Sequence, residues 1–234
     1  MQNRNNKQKW WFKALVIGAT IPIFAVLIHY LIPEPVIPDH SHPVVGDVLV
    51  NNPAGEKIVF RKVPQIKKDG ATVIDVYLDP GGAVPISHVH PNTDEIFTVL
   101  QGNVHFLVDG KIELAKAGKS ILVPAGRPHG LTNPFTEPAQ IQVKMAPTGG
   151  LNMALTQVHG FMNNNKEISA ASEFLQMLRF AERYEVYRGD LPIWFQRIGI
   201  TFLAPVARAL GFRSFYESYS LEARARNLSK QEAQ

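Results

Sequence analysis

Three histidines and one glutamate, spaced so that β-strands could bring them together, constrain the fold of this chain most strongly. His88 and His90 are separated by one residue, Glu95 follows a short stretch rich in turn formers, and His129 comes later. Alternate side chains of a strand point the same way, so both early imidazoles face one side, and Glu95 begins the next predicted strand. Three imidazoles and one carboxylate suit Fe(II), Mn, Ni, Cu or Zn far better than Ca or Mg. The spacing therefore predicts a site for one divalent transition metal.

The chain around these residues alternates short apolar runs with glycine, proline and asparagine. Several short strands with no helical periodicity between them indicate an all-β sandwich or barrel. The sequence Val108-Asp109-Gly110-Lys111 predicts a tight hairpin turn. The predicted strands cover residues 46–50, 56–62, 72–79, 94–100, 103–108, 111–115, 120–123 and 139–145.

Two segments resemble the paired signature motifs of the cupin superfamily. Residues 82–102 have the pattern G-x5-H-x-H-x4-E-x6-G, and residues 118–133 have the pattern G-x5-P-x-G-x2-H-x3-N. Every specified position of both motifs is met, and a chance match of this kind is very improbable because each residue type is infrequent. The resemblance implies an all-β jelly-roll (cupin) barrel with a metal in its mouth. By position in the motifs, the implied ligands are His88, His90, Glu95 and His129.

The same resemblance implies a class of chemistry. The ligand set is similar to that of cupin dioxygenases that act on small phenolic or dicarbonyl compounds, which favours an oxygenase-type metalloenzyme with a small organic substrate. Glu95 would be a ligand that can detach and act as a base. Two alternatives stay open at this point: a non-catalytic module that binds a small molecule or a metal, and a metal-dependent isomerase or epimerase. The resemblance also leads us to expect a homodimer.

The N-terminal region predicts a single membrane span. Residues 14–32 contain no Asp, Glu, Lys or Arg, and Trp10 and Trp11 precede them. As a helix, this segment would match the thickness of the hydrocarbon core. No small-residue cleavage site follows it, which favours an uncleaved anchor over a cleaved signal peptide or a buried core helix. Glu34 and Asp39 follow the segment and the early basic residues precede it, so the N-terminus is expected in the cytoplasm and the barrel outside.

The charge distribution excludes a nucleic-acid partner and indicates membrane lipid instead. The net charge of +4 equals the charge of four basic residues within residues 1–13, so the rest of the chain is balanced. Anionic lipid headgroups are the expected partners of this basic head. The chain has no cysteine, which rules out disulfides and thiolate sites.

The last third of the chain predicts helices. Residues 169–188 carry apolar side chains at three- and four-residue spacing, with Arg179, Glu182 and Arg183 on the opposite side. Residues 192–210 predict a second, very apolar helix, which packs against the barrel or a second subunit, lies in a membrane interface, or spans the membrane. A more polar helix is predicted from about 220 to 230. The predicted organisation is a cytoplasmic basic head (1–13), a transmembrane anchor (14–32), a proline-rich linker (33–45), the barrel (46–147) and a helical extension (148–234).

Overall fold

The computed structural model describes residues 10–11, 23–24, 26–64, 70–84, 87–165 and 167–220. Short strands fill the middle of the chain, and helices follow them. The strands are β1 (Val48–Asn51), β2 (Glu56–Lys62), β3 (Thr72–Leu78), β4 (His88–Val89), β5 (Asp94–Gln101), β6 (Asn103–Val108), β7 (Lys111–Lys116), β8 (Ser120–Val123), β9 (His129–Thr132), β10 (Ala139–Ala146) and β11 (Tyr187–Arg188). The helices are α1 (Leu151–Asn164), α2 (Ala170–Tyr184) and α3 (Ile193–Ala209).

Two antiparallel sheets enclose the core of the barrel. One has the strand order β1-β2-β3-β10-β5-β8, and the other has the order β11-β4-β9-β6-β7. Strand β10 shows why the sheets pack face to face: Ile141 and Val143 point into the core, whereas Gln142 and Lys144 are exposed. This arrangement confirms the predicted all-β barrel.

The predicted hairpin forms at Asp109 and Gly110. Both residues have positive φ angles, 48° and 77°. Val108 and Lys111 are paired on either side of the turn. Positive φ at both central residues gives the turn a twist that matches the flanking strands, which is why Asp-Gly is favoured there.

All eight predicted strands are present, and β4 contains His88, which the alternation argument placed on a strand. Strands β9 and β11, of four and two residues, were not predicted. Neither is marked by an apolar alternation, and β11 lies between two helices. Helix α1 was also missed, because buried polar residues, among them Asn152, Gln157 and His159, interrupt its apolar pattern.

Helix α2 confirms the predicted amphipathic helix, except for one residue on its apolar side and one on its polar side. The Ser169 side chain caps its first turn by accepting a backbone hydrogen bond. Phe180 and Tyr184 are buried as predicted, but Phe174 is exposed. Arg179, which was predicted to lie on the solvent side, is only 1% exposed.

Arg179 is buried because carboxylates on two elements neutralise it. Its guanidinium donates to the Glu182 carboxylate, one turn along α2, and to the Glu34 carboxylate. A buried guanidinium requires such partners, since an unpaired charge in the interior is strongly unfavourable. Glu34 also pairs with Arg208, and His29 Nε2 lies 2.8 Å from Glu182 Oε1. We call His29, Glu34, Arg179, Glu182 and Arg208 the ionic cluster.

The predicted membrane span and the last predicted helix fall largely outside the described residues. Residues 14–22 and 25 of the span are not described, and neither are residues 221–230. No helix in the described ranges combines the length and the apolar character needed to cross a membrane. In the predicted linker, Asp39–Ser41 forms a short 3-10 helix, and His40 Nε2 lies 2.8 Å from the Glu217 carboxylate.

Candidate metal centre

Three strands of the barrel bring the four predicted site residues together. His88 lies on β4 and pairs directly with His129 at the start of β9. His90 follows β4 by one residue, and Glu95 is the second residue of β5. The four side chains each offer a ligand atom, and these atoms all lie within 4.8 Å of one another. The arrangement therefore unites both halves of the sequence motif in one cluster.

Backbone hydrogen bonds in the connecting loops hold these strands in place. Gly126 adopts a φ of 80°, and its N–H donates to the carbonyl of His90 at 2.8 Å. The adjacent Ala125 N–H donates to the Asp94 carboxylate at 2.8 Å. The loop that leads to His129 is thus attached to the turn between His90 and Glu95. Glycine is required at position 126 because residues with a side chain rarely adopt this φ angle.

The histidine rings surround the Glu95 carboxylate. The ring centroids of His88 and His129 are 4.5 Å apart, and those of His88 and His90 are 4.8 Å apart. Glu95 Oε2 lies 2.6 Å from His129 Nε2 and 3.6 Å from His90 Nε2. His90, Glu95 and His129 are buried, and His88 is half-buried. The cluster therefore opens to solvent on the His88 side.

The protonation of His129 directs a lone pair into the cluster. Its Nδ1 lies 3.0 Å from the Arg127 carbonyl oxygen, which only a protonated nitrogen can satisfy. A neutral His129 therefore carries an unprotonated Nε2 that faces Glu95 Oε2. These two buried atoms lie 2.6 Å apart, and with Nε2 unprotonated no hydrogen lies between them. Two facing lone pairs repel each other unless a proton or a metal ion lies between them, so the donor set fits a metal ion.

The electrostatics of the cluster favour the deprotonated states of Glu95 and His90, which metal ligands need. Burial alone would raise the pKa of Glu95, but His90 and His129 outweigh this effect and lower the pKa to about 2. Burial lowers the pKa of His90, so this imidazole stays neutral. Burial would also lower the pKa of His129, but the Glu95 carboxylate outweighs it and raises that pKa. A proton and a cation therefore compete for His129.

Apolar side chains surround the cluster on the inner side. The Phe97 ring lies 5.7 Å from the His129 ring and 4.7 Å from the Phe106 ring. Nearby buried polar groups have partners of their own: Thr93 donates to the Pro147 carbonyl. Asn133, the last motif residue, donates from Nδ2 to three carbonyl oxygens and so stabilises loops. A second buried acid–base pair, Glu56 on β2 and His159 on α1, with Oε2 and Nε2 3.1 Å apart, belongs to a separate contact between the barrel and α1.

A second group of potential ligands, His29, Glu34 and Glu182, belongs to the ionic cluster. Arg179 donates to both carboxylates, and Arg208 lies 3.3 Å from the Glu34 carboxylate. These positive charges oppose the entry of a cation. The barrel cluster is therefore the better candidate for a metal centre.

The helical extension contributes a strand to the edge of the candidate centre, which the sequence did not predict. In β11, Tyr187 pairs with Val89 and Arg188 pairs with His88. Gly189 N–H donates to the Ser87 carbonyl at 2.8 Å. From the sequence, residues 187–188 were predicted as the end of a helix and not as a strand. The available signal was the glycine itself, since close approach of two backbones excludes a side chain.

Comparison with known proteins identifies the domain that carries this cluster. Residues 74–143, which include all four site residues, match the family profile described as Cupin domain. The chain carries a cupin domain. The comparison with curated proteins gave no match.

Several solved structures have similarity to this chain. TT1209 from Thermus thermophilus is 32% identical, with 38% of this chain and 83% of that chain covered and a TM-score of 0.33. An RmlC-like cupin from Shewanella frigidimarina is 20% identical, with 49% and 92% covered and a TM-score of 0.38. A sugar phosphate isomerase of the cupin superfamily from Silicibacter pomeroyi is 24% identical, with 49% and 77% covered and a TM-score of 0.38.

The contact between β11 and β4 predicts the effect of a substitution at Gly189. A Cβ added there would lie 2.4 Å from Ser87 Oγ and 3.0 Å from Pro128 Cβ. Gly189→Ala should therefore move β11 away from β4 and lower the free energy of unfolding by about 1–3 kcal/mol. Chemical unfolding followed by circular dichroism measures this change.

Gly199 is the matched control for this substitution. A Cβ at this α3 residue meets no atom within 4 Å. Gly199→Ala should leave stability unchanged or raise it by up to about 1 kcal/mol. Equal stability of the two variants would contradict the role assigned to β11.

Proposed function

We propose that the cupin domain binds one divalent transition-metal ion through His88, His90, Glu95 and His129. The convergence of the four ligand atoms within 4.8 Å of one another, with His129 Nε2 facing Glu95 Oε2 at 2.6 Å, carries this proposal. Fe, Mn, Ni, Cu and Zn all suit a set of three imidazoles and one carboxylate. Four protein ligands leave coordination positions free on an ion that prefers five or six.

We propose further that the domain is an oxygenase-type metalloenzyme with a small organic substrate. The ion would supply a Lewis-acidic position at which substrate oxygen or O₂ is bound and activated. The protein's own contribution is to hold the imidazoles neutral, to provide one negative charge at Glu95, and to exclude water with Phe97 and Phe106. With its low pKa, Glu95 suits the role of a ligand better than that of a free base.

The immediate surroundings of the four residues favour this reaction class over isomerisation. An isomerase or epimerase must remove a proton at one position and deliver it at another, which requires acid–base groups. Glu95 is the one buried carboxylate of the cluster and faces the imidazoles directly, while Thr93 and Asn133 bond to carbonyls. Chemistry centred on the metal therefore fits this interior better than a proton shuttle.

Oxygen uptake and metal content test the proposal together. The purified full-length chain, supplied with Fe(II) or Mn(II), should consume O₂ with at least one member of a panel of enolic and phenolic compounds. His88→Ala should lose both bound metal and O₂ uptake, because it removes a ligand. Elemental analysis and an oxygen electrode measure the two quantities.

His105→Ala is the matched control, because its ring lies against Phe135, at 5.3 Å between centroids, and outside the cluster. It should keep metal content and activity. Equal metal content in wild type and His88→Ala would contradict the ligand assignment. Metal binding without O₂ uptake from any substrate would favour a binding module or an isomerase.

We also propose that residues 14–32 form a single-pass membrane anchor, with a cytoplasmic N-terminus and an extracytoplasmic cupin domain. The uncharged sequence and the preceding basic residues support it. In the described part, Ile23, Phe24, Leu27 and Leu31 are all exposed, which suits a helix that faces lipid. Membrane lipid and a small-molecule substrate are the proposed partners, and the homodimer stays a prediction.

Single-cysteine labelling tests the orientation, since the chain has no cysteine of its own. In intact cells stripped of any outer barrier, a membrane-impermeant maleimide should label Lys111→Cys, on exposed β7, but not Asn5→Cys. Detergent should make both reactive. Labelling of Asn5→Cys alone, or of both variants before detergent is added, would contradict the proposed topology.

A further inference from the structure

Helix α3 exposes its largest apolar side chains and buries its smallest. Trp194 is 65% exposed and Phe202 is 60% exposed, whereas Ala204 and Ala207 are completely buried. A helix that packs on a protein core through its apolar side normally shows the opposite distribution. The outward side of α3 is therefore suited to a further apolar partner.

The exposed residues form one continuous stripe on this helix. They recur every three or four residues, and α3 contains no acidic residue. Arg197 is held away from the stripe by Glu185, at 3.1 Å, and by the Tyr187 hydroxyl, at 3.4 Å. We call Trp194, Phe195, Ile198, Phe202 and Leu203, together with Leu191 just before the helix, the α3 outer face.

Arg208 attaches the end of α3 to the end of the proposed membrane anchor. Its guanidinium donates to the carbonyl oxygens of His29 at 3.1 Å, Ile32 at 2.8 Å and Pro33 at 3.2 Å. These carbonyls lie at and just beyond the C-terminal end of the helical residues 26–31, which we call the N-terminal helix, and a positive charge stabilises them. The C-terminal end of α3 therefore lies where the anchor would leave the membrane.

The rest of the ionic cluster strengthens this junction. Arg179, on α2, donates to Glu34, and the Ser214 hydroxyl donates to the same carboxylate at 2.6 Å. His29, near the end of the anchor, contacts Glu182. The junction joins residues 29–34, α2 and α3 through charge pairs in which His29 and Arg179 are buried and the other members are half-buried.

We propose that the α3 outer face inserts into the lipid surface beside the anchor, on the extracytoplasmic side. This inference rests on the proposed anchor. Lipid fits this face because the exposed apolar side chains of the N-terminal helix, such as Leu27 and Leu31, belong to the segment that Arg208 attaches to α3. Trp194 has the amphipathic ring that is favoured at the headgroup level.

The inner side of α3 connects this surface to the metal centre. Ile200 and Ala204 pack in one cluster with Tyr187 and with Val89, the residue between His88 and His90. An α-helix with its side chains is about 10 Å across. The candidate centre would therefore lie about one helix diameter from the membrane surface, within reach of substrates that partition into lipid.

Fluorescence of Trp194 in vesicles tests the proposal. The chain has three tryptophans, so Trp10→Phe with Trp11→Phe leaves Trp194 as the single tryptophan of the full-length chain. The vesicles contain phosphatidylcholine and phosphatidylglycerol, with or without bromine near the headgroup end of the acyl chains. Brominated vesicles should quench most of the emission, and the spectrum should shift to shorter wavelength.

A matched pair of substitutions checks that the α3 outer face is responsible. Ile198, 53% exposed on α3, and Ile112, 69% exposed on β7, are both exposed isoleucines on separate elements. Ile198→Glu should reduce the quenching by brominated lipid, whereas Ile112→Glu should not change it. Circular dichroism of both variants verifies that they are folded.

Other results would overturn the proposal in distinguishable ways. If the chain floats with the vesicles but iodide in the water quenches Trp194 and bromine does not, the anchor stands and the α3 inference fails. Blue-shifted emission without bromine quenching would indicate that a second copy or another segment of the chain covers α3. A chain that does not float with vesicles would overturn the anchor and the inference together. Metal content, measured on the same samples, tests the metal centre separately.

Discussion

The Nε2 atom of His129 and the Oε2 atom of Glu95 face each other at 2.6 Å in the interior of the barrel. The Arg127 carbonyl accepts a hydrogen bond from the opposite nitrogen of His129, so Nε2 of the neutral ring carries a lone pair. Two lone pairs so close together are unfavourable unless a proton or a metal ion lies between them. Strands β4, β5 and β9 and the loop through Gly126 bring the side chains to this point.

The same constraint limits the chemistry that the site can perform. The pKa of Glu95 is lowered to about 2, and burial keeps His90 neutral, so both residues are prepared as ligands rather than as proton carriers. Phe97 packs against His129 and Phe106 on the inner side of the cluster. In the proposed function the protein would position an ion and exclude water, and the ion would supply the reactivity.

Much of the barrel could be predicted because its information is local. The strict alternation on a strand places His88 and His90 on one side, and the Asp109-Gly110 turn determines its hairpin register. The burial of Arg179 could not be predicted, since its partner Glu34 is far away in the sequence and only the tertiary fold brings them together. Strand β11 was missed for a similar reason: it is stable only because the edge of β4 offers hydrogen bonds.

These unpredicted contacts give the helical extension a role in the candidate site. Strand β11 covers the edge of the strand that carries His88, and α3 packs behind Val89 on the same strand. The ionic cluster in turn attaches the extension to the N-terminal segment. The extension is therefore a structural connection between the proposed anchor and the proposed metal centre.

X-ray absorption spectroscopy of the full-length chain loaded with Fe(II) tests the central claim most directly. Imidazole ligands produce characteristic outer-shell scattering whose amplitude reports their number. The account predicts nitrogen and oxygen neighbours only, with scattering from three imidazoles that falls to two in His129→Ala. A spectrum without imidazole scattering, or one that is unchanged in His129→Ala, would contradict it.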